Sequence, residues 1–268
     1  MRVSIIMATF NCQNTLKKCV DSILNQTYTD WEFIICDDCS FDKTYEMLLA
    51  YKEQYPDKFV ILKNEKNSKL SYSLNRCLEM SKGEYVARMD GDDIADSNRL
   101  DRQVEFLDEN LEYSVVGTAM TPFDEKGFRP VRYAKEVPQK MDMLNGPPFF
   151  HATIMMRREA YKKVNGYLVS KRTVRGQDYD MWFRFFAAEL KGYNLQESLY
   201  YVLEDDAAMK RRTLKNRFYE AQTKLKGYKM LEYPCYMYIY ALKPLLAAAV
   251  PSQIMQKYHV YVDRKRKR

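Results

Sequence analysis

The 268-residue sequence predicts an α/β fold: a mainly parallel, twisted sheet with helices on both faces, followed by a C-terminal helical extension. Two observations favour this fold. Strand-like and helix-like segments alternate over the first 120 residues, which is typical of parallel sheets with crossover helices. Polar clusters also follow three of the predicted strands, and ligands of such sheets bind beyond the carboxyl ends of the strands.

The predicted strands are short apolar runs, each followed by polar or turn-forming residues. In chain order they are Arg2–Ala8, Trp31–Cys36, Phe59–Lys63, Glu84–Met89 and Ser114–Ala119. The segments between them have the length and apolar spacing of helices. The predicted helices are Thr15–Asn25, Phe41–Tyr55, Ser71–Ser81 and Arg99–Asn110.

The regular alternation ends after Ala119, and residues 122–148 are predicted to be irregular because they are rich in Pro, Gly and charge. The elements predicted beyond them are a strand at Ala152–Met156, a short helix from Arg158 and an amphipathic helix at Asp178–Leu190. We predict one domain at residues 1–215, with halves at 1–120 and 121–215, and an extension at 216–268.

The extension combines an aromatic, apolar segment with a basic end. Residues 233–250 are interrupted by Lys243 and Pro244, so their apolar runs are too short to span a bilayer. The basic run Arg264–Arg268 follows. This combination predicts either peripheral contact with an anionic membrane surface or a helix packed on the core with a solvated tail.

Composition and charge indicate a cytoplasmic globular protein. Met1–Met7 is too short for the apolar region of a signal peptide, so the six cysteines are expected to stay reduced. The pair Cys36 and Cys39 has redox-motif spacing, but the two acids between them disfavour a reactive thiolate. The net charge of +7 is concentrated at the C-terminal end rather than over a face, which argues against nucleic-acid binding.

Three carboxylates lie within the four residues Asp90–Asp93, directly behind a predicted strand. Carboxylates this close repel each other unless a cation or a shared proton neutralises them. Mg²⁺ and Mn²⁺ prefer oxygen ligands, often together with substrate phosphates. Gly91 has no side chain, so a ligand can approach its backbone. The segment predicts either a metal–phosphate site or a solvated acidic turn.

These clusters resemble the motifs of the family 2 glycosyltransferases, which are inverting enzymes with the GT-A fold. The resemblance covers roughly residues 2–215 and rests on four motifs in the expected order. They are Val3–Asn11, Asp37-Asp38-Cys39-Ser40-Phe41-Asp42-Lys43-Thr44, Asp90–Asp93 and Gln177-Asp178 followed by Asp180–Arg184. The family usually has Pro at position 7 or 8, Tyr at position 10, Gly at position 39 and Glu at position 177.

The resemblance implies that residues 1–120 bind a nucleotide-sugar, with a UDP-sugar as the expected donor. The residues assigned to the nucleotide are Thr9, Phe10, Asn11, Asp38, Arg88, Asp90 and Gly91. Phe10 would stack on uracil, although it is alternatively a core residue. Asp38 would accept a hydrogen bond from the uracil N–H and Asp90 from the ribose hydroxyls. Asp37 alternatively only fixes the turn.

The implied cofactor is Mn²⁺ or Mg²⁺ on the diphosphate, where charge develops as the sugar–phosphate bond breaks. Asp92 is the implied metal ligand. His151 is either a further metal or phosphate ligand or a structural hydrogen-bonding group. Asp93 either assists the metal or holds the loop.

Residues 121–215 are implied to bind the acceptor, with Asp178 as the general base that takes the proton of the attacking hydroxyl. Alternatively, Asp178 is a helix N-cap. The residues placed by the motif near the acceptor or the diphosphate are Gln177, Trp182, Arg175, Arg211 and Arg212. Trp182 is alternatively a core residue, and the two arginines alternatively belong to a solvated basic run.

The implied activity is metal-dependent inverting transfer of a sugar to a glycan or lipid-linked acceptor of a bacterial surface polysaccharide. Peripheral attachment to the inner face of the cell membrane would suit such an acceptor. Two other classes fit the sequence less well. A catalytically degenerate, membrane-associated scaffold is disfavoured by the presence of Asp90, Asp92 and Asp178. A sugar nucleotidyltransferase is disfavoured because no Gly-rich loop follows the first strand.

Overall fold

The computed structural model describes residues 1–204 and 214–243 of the chain. The strands are β1 Val3–Thr9, β2 Trp31–Asp37, β3 Phe59–Lys63, β4 Tyr85–Arg88, β5 Ile94–Ala95, β6 Val115–Asp124, β7 Gly127–Phe128, β8 Met155–Arg157 and β9 Gly192–Leu203. The α-helices are α1 Leu16–Leu24, α2 Thr44–Gln54, α3 Leu70–Met80, α4 Arg99–Glu109, α5 Arg158–Lys163, α6 Gln177–Ala187 and α7 Leu214–Met230. The strands form one mixed sheet in the order β3-β2-β1-β4-β8-β6-β9-β5, and β7 pairs with β6.

The predicted parallel half of the sheet is present. β1 pairs in parallel with β2 on one side and with β4 on the other, and β3 adds in parallel to β2. All of β2 and nearly all of β1 are buried, as expected for strands covered by helices on both faces. The carboxyl ends of β1, β2 and β4 therefore lie side by side at one edge of the sheet.

Two hydrophobic clusters fill the two sides of the sheet. Alternate residues of β1 face opposite ways, so Ile5 belongs to a cluster with residues of α1, α2 and α4, whereas Ile6 belongs to a cluster with residues of α3, α5, α6 and α7. The second cluster contains Trp182, which is fully buried, together with Tyr228 of α7. Because both faces of these strands are buried, their sequences are continuous apolar runs.

The second half of the sheet differs from the prediction. β9 was not predicted, because polar residues such as Gln196 and Glu197 interrupt its apolar pattern and lie exposed. β6 continues to Asp124, into the segment predicted to be irregular, and it lies parallel to β9 with register shifts around Ala119. The sheet is consequently mixed, since β8 runs antiparallel to both β4 and β6.

The predicted strand Ala152–Met156 is wrong in its first half. His151–Thr153 forms a turn of 3₁₀ helix, and the strand runs from Met155 to Arg157. The Thr153 hydroxyl explains the turn, because it donates to the carbonyl of Phe150 at 2.9 Å. Side-chain bonds of this kind compete with the strand ladder. His151 is thereby placed in a buried turn rather than at a strand end.

α7 confirms the predicted C-terminal helical extension, but the boundary drawn between residues 215 and 216 falls inside it. The helix is not separate from the domain, because Tyr228 of α7 contacts Phe183 of α6 with 5.9 Å between ring centroids. Gly227 permits this approach. A Cβ atom added there would lie 2.2 Å from Cγ of Phe183. The described start of the extension is therefore part of the core.

Replacing Gly227 by Ala is expected to destabilise the protein by about 1–3 kcal/mol through overpacking against Phe183. The sign of the stability change is informative, because a Gly→Ala substitution in a helix interior otherwise stabilises the helix by about 1 kcal/mol. Urea unfolding measures the difference. Lys226→Ala at the exposed neighbouring position is the control and should change stability little. A more stable Gly227→Ala variant would contradict the packing of α7 on α6.

Within residues 1–204 and 214–243, no helix is long and apolar enough to cross a membrane. The aromatic segment 233–250 is described only as far as Lys243. Its described part includes a 3₁₀ helix, Cys235–Leu242, that exposes Tyr236 and Ile239. The basic run Arg264–Arg268 lies outside the described residues.

Candidate active site

The three predicted polar clusters converge at the edge of the sheet. Thr9 at the end of β1 is in register with Asp37 at the end of β2, and the N–H of Asp38 donates to the carbonyl of Thr9 at 2.8 Å. The acidic loop after β4 also reaches this position. A Cβ atom on Gly91 would lie 3.5 Å from Cγ2 of Thr9. The parallel strand order thus brings the donor-side residues of the resemblance together.

Asp37 fixes the turn after β2, as its alternative interpretation predicted. Its carboxylate is fully buried and accepts hydrogen bonds from the backbone N–H of Ser40 at 3.0 Å and from the Ser40 hydroxyl at 2.5 Å. The hydroxyl of Thr9, which is also buried, donates to the same carboxylate at 3.3 Å. Thr9 therefore supports Asp37, with its hydroxyl directed away from solvent.

Asp38 is buried beside the β3–α3 loop. Its Oδ1 atom accepts from the N–H of Ser68 at 2.7 Å and from Nδ2 of Asn64 at 2.7 Å, and its Oδ2 atom accepts from the N–H of Lys69 at 2.9 Å. These bonds lock the carboxylate in one orientation. Each carboxylate oxygen has two lone pairs, so Oδ2 retains the capacity to accept one more hydrogen bond.

Phe10 is not a core residue, because 45% of its surface is exposed beyond the end of β1. The alternative interpretation of Phe10 is therefore wrong. The neighbouring Asn11 has a left-handed backbone, with φ of 55°, and its Oδ1 atom accepts from the N–H of Phe41 at 3.0 Å. Asn11 thus ties the loop after β1 to the loop after β2.

Cys39 has φ of 63°, at the position where the family usually has glycine. A left-handed backbone costs a non-glycine residue about 1–2 kcal/mol, whereas glycine loses about 0.5–1 kcal/mol of chain entropy on folding. Cys39→Gly is therefore expected to stabilise the protein by about 0.5–1 kcal/mol in urea unfolding. Cys39→Ala keeps the Cβ atom and should bring no gain. Equal stability of the two variants would refute backbone strain at this turn.

The acidic loop divides its carboxylates between the interior and solvent. Asp90 is half-buried and forms an ion pair with Arg88, whose side chain is only 3% exposed. Asp92 is exposed. Gly91 packs against Cys12, since an added Cβ atom would lie 3.2 Å from its Sγ atom. The small size of Gly91 therefore accommodates the protein's own side chains, in addition to any ligand.

Two buried arginines lie behind the acidic loop, and the second was not identified from the sequence. Arg99, at the start of α4, is fully buried, donates to the carbonyl of Arg88 at 2.8 Å and lies over the ring of Tyr200 at 4.8 Å. Burial lowers the pKa of Arg99 to about 10, and Asp93 and Asp90 act in the opposite direction. The guanidinium is still charged at pH 7, so it offsets part of the repulsion within the loop.

Asp93 holds the acidic loop to β9. It is 3% exposed, and its Oδ1 atom accepts from the N–H of Leu203 at 2.9 Å. Burial, together with the charges of Asp90 and Asp92, raises its pKa to about 8. Tyr200 of the same strand accepts from the N–H of Asp90 at 3.1 Å. Of its two predicted roles, the contacts in the structure support that of holding the loop.

Asp178 is the second residue of α6, and the residue preceding the helix is Gly176 with φ of 108°. Asp178 is therefore not the N-cap, and this alternative is wrong. Its pKa is raised above that of an ordinary aspartate, mainly by burial, while the N–H of Tyr179 and the charge of Arg88 oppose the shift. The charge of Asp90 repels that of Asp178 and, like burial, raises the pKa of Asp178. Asp178 thus lies within electrostatic reach of the Arg88–Asp90 pair.

His151 and Trp182 lie in the interior, where their rings contact each other. The Nε2 atom of His151 is 2.9 Å from the hydroxyl of Tyr167, and its ring centroid is 5.4 Å from that of Trp182. Burial, and secondarily Arg88, lower the pKa of His151 well below its usual range, so the ring is neutral at pH 7. These contacts favour the structural interpretation of His151. Trp182 is fully buried, so it is a core residue and not an acceptor contact.

The remaining predicted residues lie around the start of α6 or outside the described ranges. Gln177 folds back so that its Oε1 atom accepts from the N–H of Gly176 at 3.1 Å. Arg175 is exposed in the preceding loop. Arg211 and Arg212 lie outside the described residues. Gln177 and Arg175 are therefore near Asp178 only because they are its neighbours in the sequence.

A divalent cation fits Asp92 only in combination with a substrate. No group of three or more His, Cys, Asp or Glu residues that could hold a metal occurs in the described part of the chain. Mg²⁺ is commonly held by one or two carboxylates plus substrate phosphates, so one outward-facing carboxylate suits this mode.

The family model for glycosyl transferase family 2 matches residues 4–164. The chain belongs to this family. The match includes the acidic loop and the polar ends of β1 and β2, so the assignment made from the motifs is confirmed. Membership establishes the protein as a glycosyltransferase.

Relatives and solved structures agree with this membership. EpsE of Bacillus subtilis (strain 168), which carries a glycosyltransferase name, is 44% identical over 96% of this chain and 93% of its own length. WfaP of Escherichia coli, a UDP-Glc:α-D-GlcNAc-diphosphoundecaprenol β-1,3-glucosyltransferase, is 27% identical over 72% of this chain and 73% of its own. The S. aureus TarS 1–349 complex with UDP-GlcNAc superposes with a TM-score of 0.69 at 17% identity, covering 91% of this chain and 70% of TarS 1–349. The predicted GT-A fold is confirmed.

Proposed function

We propose that this family 2 glycosyltransferase is a metal-dependent, inverting enzyme that transfers a sugar from a UDP-sugar to a hydroxyl of a glycan or lipid-linked acceptor. The acceptor would belong to a bacterial surface polysaccharide. The observation that carries the proposal is the convergence of an exposed Phe10 ring, the oriented carboxylate of Asp38 and the exposed Asp92 at one sheet edge. The names of WfaP and of the TarS complex support a UDP-sugar as the donor.

The proposed reaction uses Asp178 as the base. Its carboxylate takes the proton of the acceptor hydroxyl, whose oxygen attacks the anomeric carbon from the face opposite the diphosphate. The carbon–oxygen bond to the diphosphate breaks, and UDP leaves with that electron pair. Asp92 would hold a divalent cation, Mn²⁺ or Mg²⁺, which neutralises charge on the leaving group. A raised pKa suits Asp178 to this task, because a base works best when its pKa approaches the working pH.

The test is nucleotide release from a panel of UDP-, GDP- and TDP-sugars, with Mn²⁺ or with a chelator. Release is expected with at least one UDP-sugar and is expected to fall at least tenfold in Asp92→Asn or on chelation. Asp101→Asn, which alters an exposed aspartate in the first turn of α4, is the control. Binding without release would favour a transferase-like scaffold. Equal release by the starting protein and Asp92→Asn would reject metal dependence through Asp92.

We also propose that the C-terminal extension contacts an anionic membrane from the cytoplasmic side. The support is the exposure of Tyr236 (69%) and Ile239 (66%) in the described part, together with the basic sequence Arg264–Arg268. Co-sedimentation with phosphatidylglycerol vesicles is expected, whereas phosphatidylcholine vesicles should retain little protein. Deletion of residues 264–268 should weaken the binding. Equal sedimentation with both lipids would contradict the electrostatic contribution.

A further inference from the structure

Phe41, in the turn between β2 and α2, has the largest exposed fraction of the bulky apolar side chains that the structure describes, at 85%. Its ring lies next to Phe10, with 5.8 Å between the centroids and 82° between the planes. The two rings form a right-angled corner, called here the aromatic corner. Apolar surface exposed in this way is often used for binding.

The loops that carry the aromatic corner are joined by hydrogen bonds from both sides. These are Phe41 N–H to Asn11 Oδ1 (3.0 Å), Asn11 N–H to Ser40 Oγ (3.0 Å), Gln13 N–H to Asp42 Oδ2 (3.1 Å), Lys43 N–H to Gln13 Oε1 (3.1 Å) and Cys12 N–H to Thr44 Oγ1 (2.9 Å). The backbone of Phe41 is therefore ordered before any ligand binds. A contact made by a preorganised group loses little affinity to ordering.

The aromatic corner stands at the end of the site where the proposed function places the base. Phe10 follows β1 directly, and Phe41 lies three residues after Asp38, whose Oδ2 atom can accept one further hydrogen bond. A planar heterocycle can stack on only one of two perpendicular rings. The other ring then meets its edge, which is a favourable arrangement between aromatic groups.

We propose that Phe41 is a second aromatic contact to the base of the donor nucleotide, closing the edge of the base while Phe10 stacks on its face. This inference rests on the proposed function, because it assumes a nucleoside diphosphate donor. The role of Phe41 is in binding: its ring contributes affinity for the base, and no proton or bond is transferred by it.

The test is calorimetry of the full-length protein with UDP and Mn²⁺. Phe41→Ala is expected to raise the Kd for UDP about 2- to 12-fold, the range for one aromatic contact. Phe41→Tyr should restore the affinity and Phe41→Leu should restore it only in part. The melting temperature of Phe41→Ala without ligand should stay unchanged, because the side chain is exposed. Phe128→Ala, at a phenylalanine that is 72% exposed in β7, is the matched control and should bind UDP normally.

A double-mutant cycle separates this inference from the proposed function. The two rings contact each other, so the losses in Phe10→Ala and Phe41→Ala should be non-additive, and the single variants decide between the outcomes. If the starting protein and Phe10→Ala both fail to bind UDP, GDP or TDP, the proposed function itself is wrong. If UDP binds and Phe10→Ala weakens it, but Phe41→Ala binds as tightly as the starting protein, only the role of Phe41 is rejected.

Discussion

Replacing Asp178 by Asn is expected to lower the rate of nucleotide release about 10²–10⁴-fold, which is the usual contribution of a general base. The amide is similar in size but cannot take a proton at neutral pH. UDP binding should change little, because Phe10 and Asp38 lie on the donor side. Release assays with the best donor of the panel give the rate, and calorimetry with UDP gives the affinity.

The control for Asp178→Asn is Asp101→Asn, because both aspartates lie in the first turn of a helix and Asp101 is exposed. It should release nucleotide at the normal rate. A second variant, Gln177→Glu, introduces the acid that the family usually has and should keep activity. If Asp178→Asn retained more than a tenth of the normal rate with unchanged stability, another group would have to be the base.

The pH dependence of the rate should show the raised pKa of Asp178. A base acts only in its deprotonated form, so activity is lost as the pH falls through its pKa. Burial and Asp90 raise this pKa while Arg88 lowers it, with burial prevailing. The acid limb of the rate profile should therefore lie above pH 4, near which an ordinary aspartate titrates. If the rate, measured with saturating donor, fell only at or below about pH 4, the assignment of Asp178 as the base would be contradicted.

Replacing Arg99 by Met is expected to destabilise the protein by about 1–3 kcal/mol for each buried acceptor that loses its donor. The variant loses the hydrogen bonds to the carbonyl of Arg88 and to Oε1 of Gln103, at 2.8 and 3.1 Å. It also leaves the charge of Asp90 with less compensation. Urea unfolding at pH 7 measures the loss.

The matched control for Arg99→Met is Arg102→Met, three residues along α4. The Arg102 side chain is 42% exposed and pairs with Glu197, so its removal should cost less than about 1 kcal/mol. Arg99→Lys keeps the positive charge but not the planar guanidinium with its several donors, so a loss of stability between those of the two Met variants is expected. Equal stability of the Arg99→Met and Arg102→Met variants would show that Arg99 does not compensate the acidic loop.

The parallel half of the fold was predictable because its strands are buried on both faces. β1 and β2 were predicted to within one residue at each end, since their apolar runs are continuous. β9 has one face at the surface and carries polar residues there, so its pattern resembled a loop. α7 lacks a clear apolar face in sequence, and its position depends on the close contact of Gly227 with Phe183.

For the site, the sequence predicted which polar residues would meet but not how each is held. The order of β1, β2 and β4 follows from the alternation of strands and helices, so the meeting of Thr9, Asp37 and Asp90 was predictable. The role of Arg99 was not predicted, because a charged residue at the first position of a helix usually faces solvent. Tyr200 could not be found, because it lies on the strand that was itself not predicted.

Because Arg88 and Arg99 lie behind the acidic loop, the protein itself offsets part of the repulsion among the carboxylates of the loop. Under the proposed function, a cation at Asp92 would take several of its oxygen ligands from the diphosphate of the donor. Ion and nucleotide should then favour each other's binding by the same factor, as reciprocal linkage requires. Under the proposed function, the donor would therefore enter as a cation–nucleotide complex.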